Sequence, residues 1–467
     1  MAGLSAETVR AHRKKMSEAG LPEIAIEGFL ASLRFVIEGG QTSIPESTIE
    51  PVAALPRYEA LAEFESAGRD AVHAAAVIKL NGGLGTSMGL SAAKSLLPVR
   101  PGVSFLDLIA RQVLFARERF GASLPLVLMN SYRTREDTLA ELAKFPALAG
   151  EVPLDFLQRR VPRVEVDSGA PIEWPADPSL EWCPPGHGDL YPALRDSGML
   201  DALRSHGIRY AFVSNSDNLG GVLDLRLLGW FAERGLPFAM EAAARTASDR
   251  KGGHLAERAG RLLLRESAQC PKEDLDAFQD IERHRFFNTN NLWLDLDALA
   301  DALDPAADGL PLPVMRNEKA ISPDDPDGPR CLQLETAMGA AIECFEGAAA
   351  VCVPRDRFAP VKTTNDLLRL WSDAYELSED LRMVPVDEEA ARALRIELDP
   401  RCYGRVDALQ ARFPEGAPSL RACRRLEVIG DHVFGANVEI VGDVRLVNDS
   451  PEPVEIPSGT RLEGEHG

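Results

Sequence analysis

At 467 residues the chain is longer than one hydrophobic core usually organises, so two or three domains are expected. A hydrophobic content of 45% with 26% charged residues describes a globular protein rather than a disordered or low-complexity one. The 72 acidic residues outweigh 51 basic ones to give a net charge of −21, which excludes a broad nucleic-acid footprint; an anionic substrate would need a local positive site inside a repelling field.

The first elements in chain order are helical. "SAETVRAHRKKM" offers Ser5 as an N-cap, and "PEIAIEGFLASLRFVIEGG" carries helix-period apolar positions that end at Gly39 and Gly40. Residues 1–45 therefore read as an appended helical segment. The start "MAGLSAETVRAHRKKMSEAG" lacks the apolar core of a signal peptide, and no apolar run approaches the length of a membrane span.

From about residue 70 to residue 365 short apolar runs alternate with helical patterns. "AAAVIKL", "LPLVLMNS", "RYAFVSNSDN", "LPFAMEAAA" and "FNTNNLWLDL" read as strands, and "SFLDLIARQVLFARERFG" reads as a helix capped by Ser104 and stopped by Gly121. Such alternation predicts an α/β domain over residues 46–385, with a mixed, mostly parallel sheet and helices on both faces. Ligands on such sheets bind beyond the carboxyl ends of the strands. The glycine loop "KLNGGLGTSMG", Asn130-Ser131 and Asn215-Ser216-Asp217 all fall at such ends.

The remainder, residues 386–467, has a different texture. "LEVIGDHVFGANVEIVGDVRLV" places small, β-branched and glycine residues at intervals of five or six, a spacing that resembles the rungs of a β-helix; a small antiparallel β module is the alternative. The seven cysteines are scattered without a C-x-x-C pair, which predicts reduced thiols, no structural zinc and a cytoplasmic protein.

The glycine loop carries the most chemical information. Four glycines follow directly on a buried-strand pattern, as a ligand touching the main chain would require. It is not a P-loop, because Ala93 rather than Gly precedes Lys94. Nor is it a dinucleotide fingerprint, because after Gly83 and Gly85 Met88 stands where the third glycine belongs. Lys94 is spaced to lie one to two helical turns beyond the last glycine, where its ammonium could face phosphates held by the loop amides.

"KLNGGLGTSMG" with Lys94 resembles the nucleotide-binding loop of the eukaryotic-type UTP–glucose-1-phosphate uridylyltransferases, also called UDP-glucose pyrophosphorylases. "CPPGHGDLYPAL", "FVSNSDNLGG", "KGGHLAE", "FNTNNLW", "QLETAMGAAIE" and "VPRDRFAPVKTTNDL" match further family segments in the same order, and "IPESTIEPV" extends the likeness towards the start. The resemblance implies a Rossmann-like, GT-A-like nucleotidyltransferase domain followed by a small left-handed β-helix-like domain. It implies attack of glucose 1-phosphate on the α-phosphorus of UTP, giving UDP-glucose and diphosphate with Mg²⁺ as cofactor.

The same resemblance assigns roles. Leu80, Asn81, Gly82 and Gly83 would contact the nucleotide, with Gln158 reading uracil, Gly186 lying against the base, and Asn215 contacting both nucleotide and sugar phosphate. Lys94 and Lys362 would be the active-site lysines and Asp217 the Mg²⁺ ligand. His187, Asn290, Asn291, Glu335 and Lys251 would serve the sugar phosphate. The net charge and the lack of a long apolar run predict no nucleic-acid or membrane partner, and the resemblance implies a homo-oligomer contact through the C-terminal domain. Two departures stand out: "GLSAAKS" replaces the family's Gly-Pro before the lysine, and the tail stops soon after "IPSGTRLEGEHG". The rival readings are a pyrophosphorylase for another sugar, such as N-acetylglucosamine 1-phosphate, and a non-catalytic nucleotide-sugar sensor.

Overall fold

The structure, a computed structural model, describes residues 3–90, 92–246, 249–303, 310–322, 325 and 327–466. Ser91, within the segment "GLSAAKS", lies outside the described residues. The chain divides into two units, each gathered from separate stretches: the first from residues 1–78, 151–213 and 224–354, the second from residues 79–150, 214–223 and 355–467.

The first unit begins with the two expected helices, Ala6–Glu18 and Glu23–Ile37. The Ser5 side chain accepts from the Thr8 N–H, supplying a partner for one of the first-turn amides. Met16, Ile26, Phe29, Leu30 and Leu33 bury the facing stripes against Val164, Cys183 and Leu332, so these helices are part of the unit's core.

The central strands of this unit form part of a large mixed sheet. Phe286–Asp295 lies between Tyr210–Asn215 and Phe238–Ala244 and is antiparallel to both, while Phe238–Ala244 pairs in parallel with Ala349–Cys352. His254–Arg258 and Arg261–Arg265 form an antiparallel hairpin. The expectation of a mostly parallel sheet therefore needs correcting here. Apolar runs such as "NLWLDL" report that a strand is buried on both faces, and burial is blind to strand direction.

In the second unit, Leu126–Asn130 and the last residues of Ala75–Asn81 supply buried strand ends. The helix Phe105–Phe120 starts at Ser104 through a reciprocal capping box with Asp107 and stops at Gly121, whose φ of +64° an L-residue adopts at a cost. Among the described residues no α-helix follows the glycine loop directly. Thr86–Met88 and Lys94–Leu96 are single 3-10 turns, so among the described residues the expected one to two helical turns before Lys94 are replaced by short tight turns.

The C-terminal stretch pairs in parallel. Arg395–Leu398, Cys423–Ile429, Glu439–Val447 and Arg461–His466 form successive parallel ladders, and His432–Phe434 pairs in parallel with Val454–Ile456. Leu426, Val428, Phe434, Ile440 and Leu446 are buried. Outside, charges alternate across neighbouring strands, with Arg425 on Glu397 at 2.8 Å and Arg445 on Glu465 at 2.7 Å. All seven cysteines are free. Among the described residues no helix is long and apolar enough to cross a membrane.

Candidate active site

The strand Ala75–Asn81 is buried along its whole length and delivers the glycine loop at its end. Asn81 is held there by its side-chain amide, which donates to Asn130 Oδ1 and Thr138 Oγ1, each at 2.8 Å. The loop then doubles back on itself: Leu84 bridges Ala93 antiparallel, and the Lys94 N–H donates to the Gly83 carbonyl at 3.0 Å. Lys94 thus reaches the base of the loop through a local β-like return rather than a helix. A Cβ built on Gly83 meets nothing within 4 Å, so the backbone there faces open space.

Asp217 follows the strand Tyr210–Asn215 and lies beside Lys94, Nζ to Oδ2 being 2.5 Å, with both side chains mostly buried. The Ser216 N–H donates to the Leu80 carbonyl at 3.1 Å, joining this strand end to the one that carries the loop. Asn215 is half-buried, and its carbonyl accepts from the Asn218 N–H.

Lys362 is exposed but its segment is pinned to the same turn. Asn218 bridges Pro360, Val361 N–H approaches the Asp217 carbonyl at 3.4 Å, and the Asn218 side chain accepts from Ala359 N–H and donates to the Arg357 carbonyl, both at 3.0 Å. The glycine loop, Lys94, Asp217, Asn215 and the segment of Lys362 are thereby one connected group. Asn218, buried and fully bonded, was not singled out from the sequence. Only its place next to Asp217 could have drawn attention to it.

The remaining predicted residues form a second group, in the first unit. Gln158 Nε2 donates to the Gly186 carbonyl at 3.0 Å. Gly186 has φ +84°, and a Cβ there would come within 2.4 Å of the Thr336 carbonyl oxygen, so the fold itself demands glycine at this position. His187 Nδ1 accepts from the Met338 N–H at 2.9 Å, which leaves the ring's proton on Nε2. Burial pushes this imidazole down to about 4 against the pull of Glu335, so it is a neutral donor at neutral pH. Glu335 is paired with Lys319 at 3.0 Å and lies beside Gly186.

Asn290 has φ +59° and sits in a bulge of the long strand, where its backbone and side chain both bond Asn288. Asn291 is fully buried and donates to Glu241 Oε2 at 3.0 Å, while Trp293 donates to the other Glu241 oxygen. Of the two asparagines, Asn290 is the one with an accessible surface. Lys251 is exposed on the turn before Gly253, whose carbonyl accepts from the Asn288 N–H. The pair Arg159–Asp189, with Nε to Oδ1 at 2.6 Å and Asp189 fully buried, anchors the turn that follows His187. Nothing in the sequence spacing had marked it.

Among the described residues no three His, Cys, Asp or Glu side chains converge to hold a metal ion. A lone strand-end carboxylate such as Asp217 suits Mg²⁺, which keeps several waters and takes its other oxygens from substrate phosphates. An open peptide loop, an ammonium and one carboxylate at adjoining strand ends are groups of the kind that phosphate transfer uses.

Comparison with known proteins gives the same class. The sequence model described as UTP–glucose-1-phosphate uridylyltransferase matches residues 26–441. The UTP–glucose-1-phosphate uridylyltransferase of Solanum tuberosum is 37% identical over 465 residues, covering 97% of this chain and 95% of that protein. The crystal structure of a UDP-glucose phosphorylase from Trypanosoma brucei superposes with a TM-score of 0.88 at 44% identity, covering 98% of this chain and 99% of its own. A mutant UDP-glucose pyrophosphorylase from Leishmania major, solved in complex with UDP-glucose, gives 0.89 at 41%, covering 99% and 100%. The chain belongs to the UTP–glucose-1-phosphate uridylyltransferase family.

Proposed function

We propose that this chain transfers the uridylyl group of UTP to glucose 1-phosphate, forming UDP-glucose and releasing diphosphate. The observation that carries the reading is the pairing of Lys94 with Asp217 at 2.5 Å beside the open glycine loop. The attacking phosphate is already ionised near neutral pH, so the reaction needs no general base. Catalysis reduces to aligning two polyanions and neutralising charge on the leaving diphosphate.

In this reading the peptide groups from Leu80 to Gly83 cradle the nucleotide. Lys94 carries positive charge to the phosphates that depart, and Lys362 steadies the pentacoordinate phosphorus. Asp217 would hold Mg²⁺, which when bound supplies Lewis-acid neutralisation of the phosphate oxygens. Asn215 would hold nucleotide and sugar phosphate. In the other unit, Gln158 keeps its carbonyl oxygen for uracil once its amide nitrogen is held by Gly186, a fit to the donor edge of that base. His187 would donate Nε2–H to the sugar phosphate. Asn290, Glu335 and Lys251 would meet hydroxyls and phosphate, and Asn291 would act through Glu241, to which its amide is tied.

The finer architecture is part of the same proposal. Segments 1–45, 46–385 and 386–467 would serve as helical lead, GT-A-like catalytic domain and left-handed β-helix-like domain, a reading supported by the parallel C-terminal ladders. The exposed last rung offers a homo-oligomer contact, and seven free thiols fit a cytoplasmic setting.

The test is diphosphate release with UTP, Mg²⁺ and a panel of sugar 1-phosphates. Glucose 1-phosphate should be the preferred acceptor. Preference for N-acetylglucosamine 1-phosphate, or no release with any sugar, would replace this reading by one of its rivals.

A further inference from the structure

Lys79 opens the motif "KLNGGLGTSMG" yet has no role in the chemistry above. It is 2% exposed, on the strand that runs directly into the glycine loop. Its Nζ donates to Ser214 Oγ and to the Gly221 carbonyl, both at 2.6 Å. These two acceptors flank the stretch from Asn215 to Gly220 that carries Asp217 and Asn218. Ser214 Oγ also lies 3.4 Å from the same Gly221 carbonyl, so one ammonium closes the base of the turn from inside.

Taking an ammonium out of water costs several kcal/mol, which its bonds inside the protein must offset. A methionine would occupy similar volume without that cost, but it could bond neither Ser214 nor Gly221. What the ammonium does and an apolar chain cannot is hold three points at fixed distances: the strand of the glycine loop, the residue before Asn215 and the end of the Asp217 turn. Lys94 and Asp217, 2.5 Å apart, are carried by the loop and the turn that this ammonium ties together.

We propose that Lys79 is a positioning residue of the uridylyl transfer, its buried ammonium fixing the Asp217 turn against the strand of the glycine loop. The inference rests on the reading of that turn as the metal and phosphate site.

The experiment compares wild type with Lys79→Met, Lys79→Arg and Ser214→Ala. It measures melting temperature, kcat for diphosphate release, and the dissociation constant of Mg·UTP by calorimetry. Lys79→Met should melt near the wild-type temperature while kcat falls about a hundredfold, the effect of a displacement of about 1 Å at a reacting centre. Mg·UTP should bind about tenfold more weakly, with Lys79→Arg intermediate and Ser214→Ala shifted the same way by a smaller factor. A folded Lys79→Met protein with wild-type kcat and wild-type Mg·UTP affinity overturns the proposal. Should Lys79→Met fail to fold, Ser214→Ala decides, and unchanged Mg·UTP affinity in that variant overturns it equally. A wild-type protein that releases no diphosphate from UTP would instead overturn the functional reading on which this one stands.

Discussion

Lys94 and Asp217 hold each other across 2.5 Å, so the cation expected to meet the phosphates and the carboxylate expected to meet the metal neutralise one another. A bound metal–nucleotide complex would have to separate them, exchanging one ion pair for two: ammonium with phosphate, and carboxylate with metal. The pair keeps both groups oriented, and neither is left as an uncompensated charge in a mostly buried position.

Lys94→Ala removes the charge aimed at the leaving diphosphate. Turnover should fall by roughly two to four orders of magnitude with the fold retained, and the melting temperature should drop because Asp217 loses its partner. A rate within a few-fold of wild type would take Lys94 out of the site.

Asp217→Asn keeps the shape and discards the charge. The Mg²⁺ concentration for half-maximal rate should rise at least about tenfold, and a magnesium titration that overlays the wild-type curve would contradict the role assigned to this carboxylate.

Two glycines should fail in different ways. Gly83→Val places its side chain in open space, so the protein should fold and melt normally but bind UTP about tenfold or more weakly. Gly186→Ala must accept φ +84° and a Cβ within 2.4 Å of the Thr336 carbonyl, and should destabilise the fold by about 3 kcal/mol. Chemical denaturation and calorimetric UTP titration of the two variants separate these outcomes.

Acid should unfold the protein through its buried histidines. Burial lowers His187 to about 4 and His254 to about 3, and it also lowers His284, which stacks on His254 at 3.8 Å. A histidine with a depressed native value is neutral when folded and protonated when unfolded, so the unfolded state takes up more protons below about 6.5. Stability should therefore be full above that pH and decline as pH falls from 6.5 towards 4. Melting temperatures across this range for wild type and His254→Gln should show a shallower decline in the variant; parallel curves would exclude His254 as a contributor.

Local chemistry was legible in the sequence where a residue type has one dominant use. Ser5, Ser104 and Gly121 announced helix ends because a hydroxyl before a periodic run, and a glycine after it, satisfy terminal amides and carbonyls. The glycine loop and Asp217 were legible because both fall just after apolar strands. Strand direction was not, since "NLWLDL" is equally apolar whichever way it runs, and Phe286–Asp295 proved antiparallel to its neighbours. Nor could spacing show that Lys94 returns to Gly83 through a bridge at Leu84, because a loop's path depends on hydrogen bonds between residues that carry no pattern. Lys79 and Asn218 escaped notice because a polar residue at a strand end is ordinarily solvated. Only the packed structure reveals that these two are sealed inside.

The second unit takes an island of ten residues, 214–223, from the middle of a stretch that otherwise belongs to the first, and completes itself only with residues 355–467. On a ribosome, Asp217 therefore emerges long before Arg357 and Ala359, the main-chain groups that Asn218 needs to brace the turn. A nascent or truncated polypeptide ending near residue 350 would carry Asp217, the carboxylate proposed to meet the metal, on an unbraced segment. Bracing of the Asp217 turn is thus tied to the arrival of the final quarter of the chain, the stretch that completes the second unit.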